Sequence, residues 1–288
     1  MADLIHLADE IILQDVSNLT SLPFANLDPQ AFQLNRTPLN KWPETLSSYA
    51  VKVRNFKDAI QTLSHTCPRL HALLTPTLYS HMSLISQERG DRFFHLSNTL
   101  WSTRDLADHI KTTHIRYASI KDLYFVFFLP NIHTVSIQGC LPPKNPGDLK
   151  YNSFRRPGIS PVKVLHFTNC GLSEKPLAWV LSWPRALREF WYEVADSLWK
   201  EFSFDDSLPN DLSCAGVRQA LSSQKKSLQI FAFTRLHRPN CMPLSRVPPI
   251  DLHDFEKLQD FRTYYHFVNG NTDVQKVLLP RNLESLEI

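Results

Sequence analysis

"IHTVSIQGC", Ile132 to Cys140, and "VKVLHFTNC", Val162 to Cys170, set apolar residues at the same four positions. In the first they are Ile132, Val135, Ile137 and Cys140; in the second, Val162, Leu165, Phe167 and Cys170. The middle two of each set alternate with polar neighbours, which predicts a half-buried strand. A pattern met twice predicts a unit that stacks on copies of itself.

Looser copies follow: Leu187, Phe190 and Tyr192; Leu228, Phe231 and Phe233; Leu258 and Phe261; and Leu283, Leu286 and Ile288 in the closing stretch "LPRNLESLEI". Successive copies begin 30, 25, 41, 30 and 25 residues apart. The spacing agrees with the leucine-rich-repeat consensus, in which a Cys or Asn completes the turn after the strand. Steps longer than a compact repeat imply insertions, most plainly the Pro-rich loops at 141–161 and 237–249. Helix signals lie between copies, such as Ser173 before "EKPLAWVLSW" and Asp211 or Ser213 before "CAGVRQALSSQ". Strand, loop, helix and strand in one direction predict right-handed crossovers and a parallel sheet. The last copy then pairs with its predecessor and leaves an uncovered edge, the expectation for a chain truncated at its C-terminus.

The N-terminal part has a different rhythm. In "HLADEIILQDVSNL" the residues Leu7, Ile11, Ile12, Val16 and Leu19 share one helical face, with Asp9 and Glu10 in the first turn. Four prolines between Pro23 and Pro43 exclude a continuous helix there. "YAVKVRNFKDAIQTLSHTC" is amphipathic, with Tyr49, Val53, Phe56, Ile60, Leu63 and Cys67 on one face. Pro68 is expected to end or kink that helix, a shorter piece through Leu70, Leu73 and Leu74 to stop at Pro76, and "LYSHMSL" to form a strand.

Composition narrows the function. With 288 residues and 43% hydrophobic residues the chain can bury a large core. Its net charge of +3, from 31 basic and 28 acidic residues, is too small for a nucleic-acid footprint. The longest apolar run, Leu123 to Leu129, is far short of a membrane span, so neither nucleic acid nor membrane is expected as a partner. The five cysteines lie at least 27 residues apart and form no C-x-x-C pair. The glycines form no G-x-G-x-x-G, P-loop or G-x-S-x-G motif, and the twelve histidines no H-E-x-x-H. No metal, cofactor or catalytic residue is expected, and the chain reads as soluble and intracellular.

The residues quoted from the N-terminal part resemble the F-box signature L-P-x-E-I-[LI]-x-x-[IV]-x-x-x-L. Leu7, Glu10, Ile11, Ile12, Val16 and Leu19 fill its positions, and Ala8 stands where the proline would be. "LSHTCPRLHALLTPTLYSHMSL" is similar to a second signature of the same family, matched by Leu63, Cys67, Arg69, Leu70, Leu78, Tyr79 and His81. The chain as a whole resembles fungal F-box proteins with a leucine-rich-repeat-like C-terminal domain.

This resemblance implies an α/β chain with a small helical F-box-like domain at 1–84, carrying the Pro-rich insertion at 23–43. An irregular leucine-rich-repeat solenoid with a parallel sheet would follow at 85–288. It implies no catalysis, a cytoplasmic or nuclear location, and a subunit that joins a substrate protein to a cullin ubiquitin ligase of the SCF type. Leu7, Glu10, Ile11, Val16, Leu63, Cys67 and Leu70 would contact the Skp adaptor. The alternative is a repeat module whose degenerate F-box does not bind the adaptor.

Strand alternation selects the surface that would hold a substrate. If Phe190 and Tyr192 face the core, then Glu189, Trp191 and Glu193 face the opposite, concave side, with His166 from one repeat and Arg262 and Tyr264 from another. An open Trp191 between two carboxylates would form a binding hot spot; a covered one would serve packing.

Overall fold

The structure is a computed structural model, and it describes residues 58–85, 91–118, 120–140, 157–194, 214–235, 250–263 and 279–287. The chain divides into two compact units, Met1–Ser80 and His81–Ile288. The sequence reading puts the division at 84/85. The contacts divide the chain just before β1 (His81–Ile85), because that strand pairs along its length with β2 (Thr112–Arg116).

In the first unit residues 58–64 are helical, and α1 spans Pro68–Ser80. Pro68 opens α1, where its missing N–H costs no hydrogen bond. The Cys67 thiol, one residue earlier, accepts the Leu70 N–H at 3.5 Å and so caps the helix start. Ile60, Leu70 and Leu74 form a small core with Cys67, Leu73 and Leu78 around it. The expected stop at Pro76 is not there, since α1 continues through it to Ser80. A proline inside a helix removes one backbone bond, and the buried Leu70 and Leu74 on the same helix offset that loss. The strand expected from Leu78 therefore starts only at His81.

Among its described residues, the second unit is an α/β arrangement around one eight-stranded parallel sheet. Its remaining strands are β3 (Thr134–Gln138), β4 (Val164–Cys170), β5 (Glu189–Val194), β6 (Ile230–Arg235), β7 (Asp260–Thr263) and β8 (Ser285–Glu287). Their order in the sheet is their order in the chain. Between β1 and β2 lie α2 (Asp91–Ser102) and α3 (Arg104–His109), and between β2 and β3 lies α4 (Ile120–Phe127). Helix α5 (Glu174–Leu181) links β4 to β5; α6 (Cys214–Ala220) and a 3-10 turn (Leu221–Gln224) precede β6.

The six copies found in the sequence sit in one register. Val135 pairs with Leu165, Leu165 with Phe190, Phe190 with Phe231, Phe231 with Phe261, and Phe261 with Leu286. The second core column runs Ile137, Phe167, Tyr192 and Phe233. Apart from the edge residue Leu286, 41% exposed, every side chain in these two runs is at most 1% exposed. Helices α4, α5 and α6 add Val126, Phe127, Leu177, Val180, Leu181 and Val217 to the same core.

From β4 onward the columns turn aromatic. Phe190 stacks on Phe231 at 5.9 Å between centroids, Phe231 on Phe261 at 5.4 Å, and Tyr192 on Phe233 at 6.0 Å. Such pairs contribute roughly 0.5–1.5 kcal/mol each beyond the area they bury.

Polar side chains tie the turns together. The buried Gln224 amide donates to the carbonyls of Leu181 (2.8 Å) and Pro184 (3.0 Å), and its oxygen accepts the Leu187 N–H at 2.8 Å. Ser160 Oγ donates to the Phe127 carbonyl, and Asn131 and Asn282 donate to the carbonyls of Asp108 and Glu256, both at 2.7 Å.

At the far ends of β2 and β3, and at the bulge of β4, the chain turns through residues in left-handed conformation. These are Tyr117 (φ 57°), Gly139 (φ 72°) and Asn169 (φ 54°), each next after the paired Arg116, Gln138 and Thr168. Gly139 is needed twice over, since a Cβ there would also lie 2.9 Å from the Tyr117 ring. Cys140 follows β3 in the turn, as the spacing predicts, whereas Cys170 is the last residue of β4 itself, paired with Val194 beyond the bulge. Both are buried and neither is in a disulfide, and Cys170 Sγ accepts the Cys140 N–H at 3.2 Å. Burial pushes the Cys170 thiol up to about 12, which leaves it protonated and inert.

Candidate functional site

Alternation leaves the odd-numbered or even-numbered residues of each strand on the face of the sheet away from the core helices. Along the middle of that outer face the register aligns His114, Ser136, His166, Trp191, Ala232, Arg262 and Glu287. The small side chain of Ala232 shapes the centre of this row. Its methyl group leaves room for Arg262, two strands from Trp191, to lay its guanidinium over the indole, 5.5 Å from the ring centroid. From the other side the His166 ring lies 5.2 Å from the indole.

Charges close the cluster. Arg262 donates to Asp260 from Nη2 at 2.6 Å and from Nε at 3.1 Å, and its Nε lies 3.6 Å from a Glu287 carboxylate oxygen. The hydrogen bond to Asp260 holds the guanidinium pKa above its ordinary value. His166 Nε2 meets Glu189 Oε1 at 2.9 Å. Glu193 stands apart: burial raises its carboxyl pKa, partly opposed by a hydrogen bond from the backbone N–H of Asn169 in the β4 bulge. On β2, burial and the neighbouring Arg116 lower the His114 pKa to about 4.

The structure brings Glu189, His166, Trp191 and Arg262 into one cluster, as the alternation predicts. It does not leave Trp191 open. The indole is 9% exposed, covered by Arg262 and His166, and among the described residues its Nε1 meets no acceptor. Of the two alternatives for Trp191 the structure has the covered one, an indole packed under Arg262 and beside His166. Tyr264 lies outside the described residues. Alternation also sends Asp260, a partner of Arg262, to this face, and Glu287, its second partner, is the addition that the geometry makes. The signal for Glu287 is its register position opposite Arg262.

Of the residues matched to the adaptor signatures, Leu7, Glu10, Ile11 and Val16 lie outside the described residues. Leu63 is 37% exposed and open to a partner, with Tyr79 at 42%. Cys67 and Leu70 are turned to other work: the thiol caps α1, and Leu70, 8% exposed, sits in the unit's own small core.

Chemically the outer face offers paired charges around an aromatic ring. Among the described residues no group of three His, Cys, Asp or Glu is placed to hold a metal ion, and no helix is long and apolar enough to cross a membrane. Comparison with protein-family models, with curated proteins and with solved structures finds no match to this chain.

Proposed function

We propose that this chain is a substrate-recognition subunit of an SCF-type cullin ubiquitin ligase. In this reading residues 1–84 form an F-box-like helical domain that docks on the Skp adaptor. Residues 85–288 form an irregular leucine-rich-repeat solenoid whose outer sheet face holds a substrate protein, in the cytoplasm or the nucleus. The observation that carries the reading is the register. Six copies of one spacing fall on six neighbouring parallel strands, so that every strand delivers equivalent residues to one continuous outer face. A surface of that kind recognises by side-chain placement rather than by a reaction.

The inward placement of Leu70 and Cys67 favours a second reading, a repeat module that binds its partner without the adaptor. Co-expression with a Skp adaptor and size-exclusion chromatography separate the two. The first reading expects a stable complex that is lost in Ile11→Asp, because burying an aliphatic side chain contributes roughly 1.5–3 kcal/mol and a carboxylate reverses the sign. Failure of the unmodified chain to capture the adaptor, or equal capture by a folded Ile11→Asp chain, rejects the first in favour of the second.

A further inference from the structure

The residue just before each strand makes the most regular backbone contact in the sheet. The Lys111 carbonyl accepts the N–H groups of His133 and Thr134, the His133 carbonyl those of Lys163 and Val164, and the Lys163 carbonyl those of Arg188 and Glu189. The row continues through Gln229 and Gln259 to Glu284. Its backbone is thus fixed from strand to strand, while its side chains point to solvent. Lys111, His133, Lys163 and Arg188 are all exposed. Among the described residues, Lys111, Lys163 and Arg188 form no ion pair. Their charge is felt locally, because burial and then Lys163 and Arg188 lower the pKa of His133 between them.

We propose that the row Lys111, His133, Lys163 and Arg188 is a docking surface for an acidic, extended segment of a partner protein. The segment would cross the starts of β2 to β5. Neighbouring strands lie about 4.8 Å apart, so the row is roughly 14 Å long. An extended peptide repeats its same-side residues about every 6.8 Å, and three Asp or Glu at alternate positions cover that length. The row also gives the segment a fixed position. Beyond Arg188 it becomes Gln229, Gln259 and Glu284, with Gln259 Nε2 bonded to Glu284 Oε1 at 3.1 Å, so the attraction ends at β5. Nucleic acid fits less well, because three full charges make a short phosphate track and His133 gives the row a single ring on which a base could stack, where strand binders use several. The surface lies at the strand starts, beside the cluster around Trp191, whose Glu189 follows Arg188 in the chain, and its occupancy does not depend on adaptor docking.

Fluorescence anisotropy of the full chain with fluorescein-labelled deca-glutamate, without adaptor, tests the proposal. Binding is expected, weakened about tenfold or more in the double variant Lys163→Glu, Arg188→Glu. The exposed off-row variant Lys226→Glu should change affinity less than about twofold, and a labelled ten-residue oligothymidylate should bind more weakly than the peptide. Circular dichroism checks that the variants fold. Should the double Glu variant not fold, Lys163→Gln with Arg188→Gln replaces it, with about threefold weakening expected. Unchanged peptide affinity in the folded double variant, an equal loss in Lys226→Glu, or tighter binding of the oligonucleotide would overturn the assignment.

Discussion

Two single residues show how much of the fold depends on polar side chains that no hydrophobic pattern reveals. Gln224 is 1% exposed and bridges three backbone groups between the turn before β5 and the turn before β6. Gln224→Ala deprives the Pro184 carbonyl and the Leu187 N–H of that amide. Each buried group left unsatisfied costs roughly 1–3 kcal/mol, so a loss of about 3 kcal/mol is expected in urea unfolding. His114 makes the second case. Its pKa is about 4 in the folded chain against 6.5 for the ordinary group. The unfolded chain therefore takes up the proton first, and the stability present above pH 6.5 is lost as pH falls towards 4. The loss at the acid limit is on the order of 3 kcal/mol. Urea unfolding at pH 7 and pH 4.5 should show a smaller pH effect in His114→Gln than in the unmodified chain; equal effects would contradict this role. For Trp191 the residue-level reading leaves open and covered as alternatives and does not name what covers it. Alternation places it on the outer face, but its cover comes from Arg262, 71 residues later in the chain.

Among the elements, the strands were legible where the core columns hold apolar residues. The spacing alone set the register of β3 to β8, because a slip of one residue would turn each buried row to water. Strand β2 was not legible, since Thr113, 0% exposed, stands in a core column that elsewhere holds apolar side chains. A buried hydroxyl interrupts the pattern without interrupting the ladder. The path of α1 through Pro76 was hidden for the opposite reason: a local rule predicts a stop, and packing of Leu70 and Leu74 overrides it. The columns themselves are the test at this scale. Leu165, 0% exposed, lies between Val135 and Phe190, and Leu165→Ala is expected to cost about 2–5 kcal/mol in thermal or urea unfolding. A cost below about 1 kcal/mol would mean that this column is not the core of the unit.

For the whole molecule, the proposed function puts two jobs on two stretches of chain: adaptor docking by the N-terminal helices, and partner recognition by the sheet's outer face. In the proposal that division rests on the repeats and on the resemblance of the N-terminal part to the F-box signatures, and no motif in the sequence names a partner. Quantitative affinity purification of tagged chains from cells, read by mass spectrometry, compares three forms directly: the unmodified chain, Ile11→Asp, and the outer-face pair Glu189→Lys with Arg262→Glu. Separate losses are expected. Ile11→Asp should lose the Skp adaptor and cullin and keep the partner protein, whereas the outer-face pair should lose the partner and keep the adaptor. Loss of both together in either folded variant, or an unmodified chain that brings down no adaptor, would contradict the division of labour.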